Sequence, residues 1–216
     1  MNEVLKIVLP AIPETLLMVG ASSVLAILAG IPLAIILYTN QSGGLSDDGK
    51  IYNILDTIIN VLRSLPFVVL MLLILPLTKL IVGRRIGTTA SIVPLTISAI
   101  PFLARLLEGD FNSVNKGIIE AARAMGSSTQ TIVRKVVIKE ALPNIISSIT
   151  MTIISLVGQS AIVGMIGGGG LGDIAIRYGY QRNQKDILWA ACVAIIILVQ
   201  LVQFIGINVS KSIDKK

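Results

Sequence analysis

The chain has 216 residues, 54% of them hydrophobic and 14% charged, with a mean hydropathy of +0.85 and a formal net charge of +6. Those proportions exclude an ordinary soluble domain and point to a multi-spanning membrane protein. There is no histidine, the single cysteine (Cys192) lies in an apolar run, and no Gly-x4-Gly-Lys-Ser/Thr loop occurs, so a disulfide framework, a Cys/His metal site and a nucleotide site on this chain are excluded.

In chain order, Met1 to Pro13 carries Glu3 and Lys6 among apolar residues and then Pro10 and Pro13; it reads as an uncleaved interfacial lead-in, lacking the basic start and small-residue cleavage site of a signal peptide. Residues 15–38 form an uncharged run long enough to cross a hydrocarbon layer of about 30 Å as a tilted helix. Gly20, Gly30 and Pro32 are tolerated inside it. After a polar loop over Thr39 to Lys50, the residues Ile51, Ile54, Leu55, Ile58, Ile59 and Leu62 recur at helical spacing. They predict an amphipathic segment that continues into a second span over 64–80. The basic turn Val82-Gly83-Arg84-Arg85 precedes a third span over 88–107, where Pro94 and Pro101 predict bends and Arg105, close to the end, is expected to snorkel to the interface.

A fourth span over 145–166, rich in Ser, Thr and Gly, runs into Gly167-Gly168-Gly169-Gly170-Leu171-Gly172-Asp173. Four consecutive glycines permit turns closed to other residues. A phosphate-cradling loop is disfavoured because no lysine follows, and a carbonyl-lined filter because no pore-helix pattern surrounds it. A tight extracellular re-entrant turn beside the permeation path fits best. The fifth span covers 187–209, with Trp189 as interface anchor and Lys211, Lys215 and Lys216 beyond it. Gln200 and Gln203, three apart, are expected to hydrogen-bond between helices.

Between the third and fourth spans, residues 108–144 make a polar loop, and Asn115 to Pro143 within it is a helix-forming elbow. Gly126 suits the left-handed position that ends one helix, and Ser127 with Gln130 reads as the capping box that begins another. On the first helix Ile118, Ala121, Ala122 and Met125 are expected to share a face, with Glu120 and Arg123 opposite; on the second, Ile132, Val133, Val136 and Val137 do the same.

Glu120, Ala121, Ala122 and Gly126 resemble the EAA signature in the cytoplasmic loop of ABC importer permeases. Where that family places Leu-Pro twelve residues after the glycine, this chain has Ile138 and Lys139, and Leu142-Pro143 comes four residues later. Arg63-Ser64-Leu65-Pro66-Phe67 resembles the Arg-Ser-x-Pro-Phe element of amino-acid importer permeases, particularly those for methionine, and Gly167 to Asp173 with Tyr178-Gly179-Tyr180 resembles elements of methionine importer permeases. The resemblance covers nearly the whole chain. It implies an all-α integral membrane protein with five transmembrane helices, of the type I ABC importer permease fold, as one domain over 1–216. It implies ATPase coupling through Glu120, Ala121, Ala122, Met125 and Gly126, and a gate near Ser160, Ala161, Ile162, Met165, Gly167 and Gly168. Expected partners are a second copy, two cytoplasmic ABC ATPase subunits that hold ATP and Mg, and an external methionine-binding protein, often a lipoprotein. No cofactor is expected on this chain, a transport subunit for D- and L-methionine in a bacterial cell membrane. A permease for another amino acid or small solute, a passive channel and a structural scaffold are the alternatives.

The basic residues flank apolar spans and form no aromatic-interleaved patch, which points to anionic lipid and away from nucleic acid. Five spans put the termini on opposite sides. More flanking Lys and Arg fall on the elbow's side when the N-terminus is outside, so the elbow and the C-terminus are expected in the cytoplasm.

Overall fold

Inside a bilayer each backbone amide must find its partner within the protein, which leaves the helix as the natural form for apolar runs such as these. In this computed structural model, which describes residues 2–46 and 48–214, every regular element is helical. Helix α1 (Asn2–Val8) leads into α2 (Ala11–Asn40), so the lead-in is helical and the first span begins before the expected Thr15. Then come α3 (Gly49–Ser64), α4 (Phe67–Leu73), α5 (Leu75–Val82) and α6 (Thr88–Asn112). The elbow follows as α7 (Lys116–Ala124) and α8 (Thr129–Ile132), which passes through a π-helical turn (Val133–Val137) into α9 (Ile138–Glu140). The chain ends with α10 (Leu142–Gly164), α11 (Gly170–Ile174), a second π-helical turn (Ala175–Tyr180) and α12 (Lys185–Ile213).

Among the described residues, α1 with α2, α6, α10 and α12 are long and apolar enough to cross a membrane, making four candidates, and a bent pair of helices, α3 with α4, supplies a possible fifth. That pair corrects the expectation of one continuous segment from Ile51 through a span over 64–80. Pro66 has no amide hydrogen, and its ring drives the preceding residue out of the helical region; Leu65 is accordingly extended at φ −77°, ψ 128°, and the two helices meet at 105°. A second interruption at Ile74 precedes Pro76, which sits in the first turn of α5, where a proline is tolerated.

Helix α6 is the centre, packing on α2, α3, α4, α5 and α10. Its two prolines stay within a continuous helix. One apolar cluster gathers Leu37, Leu103, Leu107 and Phe111 with Ala122, Ile132 and Val137 of the elbow; a second joins Met18, Leu95, Leu156 and Val163 in the middle; a third joins Val8, Ala11, Leu171, Ile174 and Ile187 at the far end. Exposed residues on α12, among them Val193, Ile196, Ile197, Leu201, Phe204 and Ile205, are what lipid or a partner helix must cover.

Two expectations change here. Arg105 does not snorkel but is paired within the protein. Gln200 and Gln203 both face outward and make no hydrogen bond to another helix among the described residues. Cys192 is half-buried. Lys215 and Lys216, which entered the charge count, lie outside the described residues.

Candidate functional site

The elbow is closed at each helix end by its own side chains and backbone. Asn115 starts α7 by accepting the Gly117 amide on Oδ1 at 2.8 Å. At the other end Gly126, at φ 78°, donates its N–H to the Arg123 carbonyl (2.9 Å), while the Ser127 N–H reaches back to the Ala122 carbonyl (3.1 Å). Those two bonds together are the Schellman arrangement, with glycine in the left-handed position. They also decide where the next helix begins. Because the Ser127 amide is already committed to α7, the cap is Ser128, whose hydroxyl accepts the Thr131 amide at 3.3 Å; the expected Ser127–Gln130 capping box is displaced by one residue.

The apolar residues of α7 divide between two faces rather than sharing one. Ala122 is buried and Ile119 half-buried, and both join the apolar cluster that includes Leu103, Leu107 and Phe111. Ile118, Ala121 and Met125 form a separate exposed stripe, with Ile118 44% and Met125 79% accessible. Glu120 is exposed beside it. On the second arm Ile132, Val133 and Val137 are buried, as their spacing predicted. Arg123 donates from Nη2 to the Gly44 carbonyl at 3.0 Å, tying the elbow to the loop after α2.

The gate candidates are spread over a re-entrant turn. Ser160 is buried, its hydroxyl donating to the Val157 carbonyl at 2.7 Å; Ala161 and Ile162 are half-buried, Met165 is 62% accessible, Gly167 is exposed and Gly168 is buried. The chain then doubles back. The Gly170 amide donates to Glu14 Oε2 (2.7 Å) and the Leu171 amide to Thr15 Oγ1 (2.9 Å), so these amides serve α2 and are not free to cradle a phosphate. Asp173 pairs with Arg177 at 2.7 Å. Burial raises the Asp173 carboxyl above its ordinary value, the Arg177 charge draws it back, and the neighbouring Glu14 charge pushes it further up.

Sequence reasoning missed one cluster. Arg105 of α6 pairs with Asp56 of α3 through Nη2 and with Glu108 through Nη1 at 2.7 Å, and Asn60 bridges both partners, donating to Asp56 at 2.9 Å and accepting from Arg105 at 3.1 Å. The signal was present as Asp56 and Asn60 one turn apart on an amphipathic helix, with an Arg-x-x-Glu pair at Arg105 and Glu108 near the end of the third span.

Residues 26–215 match the family of binding-protein-dependent transport system inner membrane components. The chain belongs to that family. The permease is 47% identical over 210 residues to the probable D-methionine transport system permease protein MetI of Vibrio cholerae, covering 97% of this chain and 93% of that one. It is 42% identical over 181 residues to the methionine import system permease protein MetP of Bacillus subtilis, covering 84% and 82%. A solved chain of the MetNI methionine ABC transporter, in inward-facing conformations, superposes with a TM-score of 0.97 at 38% identity over 100% of both chains. An amino acid ABC transporter chain at 24% identity and a TM-score of 0.75 shares the fold. The permease is thus an all-α ABC importer membrane subunit of the type I fold that groups with the methionine permeases, and a transport component rather than an enzyme.

Proposed function

We propose that this permease carries methionine into the cell and draws its energy from a separate ATPase docked on the elbow. The observation that carries the reading is the split of α7. One face, Ala122 and Ile119, joins the apolar cluster of the bundle, while the other presents Ile118, Ala121 and Met125 to no partner among the described residues. A rigid, capped helix with an apolar stripe turned outward is a lever waiting for a cleft. Glu120, Ala121, Ala122, Met125 and Gly126 form the coupling element in this reading, and Ser160, Ala161, Ile162, Met165, Gly167 and Gly168 the neighbourhood of the gate.

Two copies pair in the membrane, two ATPase subunits holding ATP and Mg bind in the cytoplasm, and an external methionine-binding lipoprotein delivers the substrate, D- or L-methionine. The N-terminus lies outside and the elbow and C-terminus inside. ATP closure of the ATPase pair moves the elbows, and the shared core of Leu103, Leu107, Phe111 and Ala122 passes that motion to α6 and the bundle. Nucleotide must favour one state by several kcal/mol to swing the population nearly completely.

Uptake of labelled methionine into proteoliposomes holding the permease with its ATPase tests this. Uptake should require ATP and the binding protein and vanish without the ATPase. Ion or solute flux through the permease alone, indifferent to ATP, would overturn it in favour of a passive channel.

A further inference from the structure

Helix α3 carries three faces. Tyr52, Leu55 and Ile59 join the apolar cluster shared with the elbow. Ile51, Ile54, Ile58 and Val61 form an exposed apolar stripe, and Lys50, Asn53, Thr57, Asn60 and Ser64 an exposed polar one, each repeating at alternate intervals of three and four residues. An apolar stripe suits hydrocarbon and a polar one suits water, so α3 stands on a boundary between the two. The polar stripe starts at Lys50, beside the loop that Arg123 ties to the elbow, and ends at Ser64, at the break before α4.

Arg63 stands at that break. Ile59, one turn before it, belongs to the cluster shared with the elbow, whereas Phe67, one turn after it, packs against the middle cluster with Leu156 and Val163. The break therefore lies inside the bent pair that α3 and α4 make across the bundle, and not at its edge. Arg63 is exposed and makes no hydrogen bond or ion pair among the described residues. In the last turn of α3 it complements the helix dipole, a smaller gain than the penalty for an unpaired arginine inside a membrane. Arg105, by contrast, is answered by Asp56 and Glu108. A second copy of the chain would bring Arg63 no counter-charge. Asp56 and Glu108 are held by Arg105, Asp110 by the Ser148 hydroxyl, Glu14 by the Gly170 amide and Asp173 by Arg177. The other described carboxylates lie in α1, on the elbow or within two residues of an end of α3, α9 or α12. The missing carboxylate comes from outside the chain.

We infer that Arg63 binds the carboxylate of the amino acid in transit, and that the polar stripe of α3 is the wetted track between this point and the elbow's side of the membrane. A guanidinium takes a carboxylate through two parallel N–H···O bonds, and no N–H donor of the Arg63 side chain is committed among the described residues. The inference rests on the importer reading above and deepens it, since it names the group that holds the charged end of the substrate. A phospholipid head group is the other anion within reach of such a residue, and the experiment separates the two.

The test uses the assembled importer, permease with ATPase, in nanodiscs of phosphatidylcholine alone or mixed with phosphatidylglycerol, with the permease in a Cys192→Ala background. Ser64→Cys, beside Arg63, should react with a charged maleimide, and excess methionine should slow that reaction several-fold. Methionine amide, which lacks the carboxylate, should not slow it. Asn53→Cys, about three turns towards the elbow, should react at a rate indifferent to methionine. Arg63→Gln added to Ser64→Cys should abolish the protection, and Arg63→Lys should keep part of it. Ser64 and Arg63 are both exposed, so neither substitution threatens the packing. Absence of protection in Ser64→Cys, equal protection by the amide, or protection that survives Arg63→Gln overturns the inference. So does a labelling rate set by phosphatidylglycerol instead of by methionine, which would assign Arg63 to a lipid head group. Methionine uptake is measured in parallel: its absence in the parent sinks the importer reading, whereas uptake unslowed by Arg63→Gln sinks this inference alone.

Discussion

The elbow and the re-entrant turn both bend on glycines in the left-handed region, yet their surroundings are opposite. Around Gly126, at φ 78°, a β-carbon would meet no atom within 4 Å. At Gly169 (φ 84°) it would lie 2.7 Å from Glu14 Oε2 and 2.8 Å from Thr88 Oγ1, and at Gly170 (φ 79°) 2.7 Å from Thr15 Oγ1 and 2.8 Å from Met18 Cε. At the elbow glycine answers to backbone conformation alone. At the re-entrant turn it answers to conformation and to packing against α2 together. The first region keeps free space for something outside the chain, and the second has filled its space from within.

The largest effect should follow from adding bulk where there is no room. Gly170→Val combines a left-handed β-carbon, about 1–2 kcal/mol, with overpacking of about 1–3 kcal/mol, and displaces the amide bond to Glu14. Little folded permease should survive extraction, measured as the monodisperse fraction on size exclusion. Recovery equal to the parent would show that the turn is less tightly packed than its distances state.

Next comes Arg105→Met. It strands Asp56 and Glu108, the latter 4% accessible, and breaking such a pair by removing one partner typically destabilises by about 3–5 kcal/mol. A lowered melting temperature in detergent is expected, with rescue when Asp56→Leu and Glu108→Leu are added. An unchanged melting temperature in the single variant would mean that the cluster does not hold α3 to α6.

Gly126→Val should behave differently from both. The left-handed β-carbon is unfavourable by about 1–2 kcal/mol, confined to one exposed bend, so the variant should insert and pair as the parent does. ATPase attachment, or the coupling of hydrolysis to uptake, should be lost; Glu120→Ala should be milder, and Gly126→Asn milder still because asparagine visits the left-handed region. Purification with the ATPase and methionine-stimulated turnover decides it. Parental assembly, turnover and uptake would remove the elbow from the coupling path.

The sequence made the long helices, the elbow and its glycine legible because each rests on a local signal: an apolar run, an amphipathic period, a residue suited to one backbone conformation. What it hid depended on distance or on competition. Arg105 finds Asp56 on α3, 49 positions away, and nothing adjacent to Arg105 announces that partner. Ser127 and Ser128 offer equal caps until the Ser127 amide is seen bonded to the Ala122 carbonyl. Helical spacing puts Ile118, Ala121, Ala122 and Met125 on one side of α7, but which part of that side the bundle covers depends on where α7 docks, and only Ala122 is buried. Pro66 carries a local signal of its own, since its ring bars Leu65 from the helical region and so implies the break between α3 and α4.

The smallest expected effect belongs to Cys192→Ala, and it supplies the means to separate the two regions directly. A half-buried thiol on α12 behaves as a small hydrophobe, so its loss should shift stability by less than about 1 kcal/mol and leave uptake intact. In that background, free of the chain's single cysteine, Met125→Cys and Met165→Cys place reporters on exposed positions of the elbow and the re-entrant turn, 79% and 62% accessible. If the elbow stripe is covered by a partner and the turn borders a moving gate, the ATPase alone should protect position 125 from a maleimide. Position 165 should ignore the ATPase until ATP is trapped. Equal labelling of position 125 with and without the ATPase would leave the stripe uncovered and its exposure unexplained, and the contrast between a region kept open for a partner and one closed on itself would no longer hold.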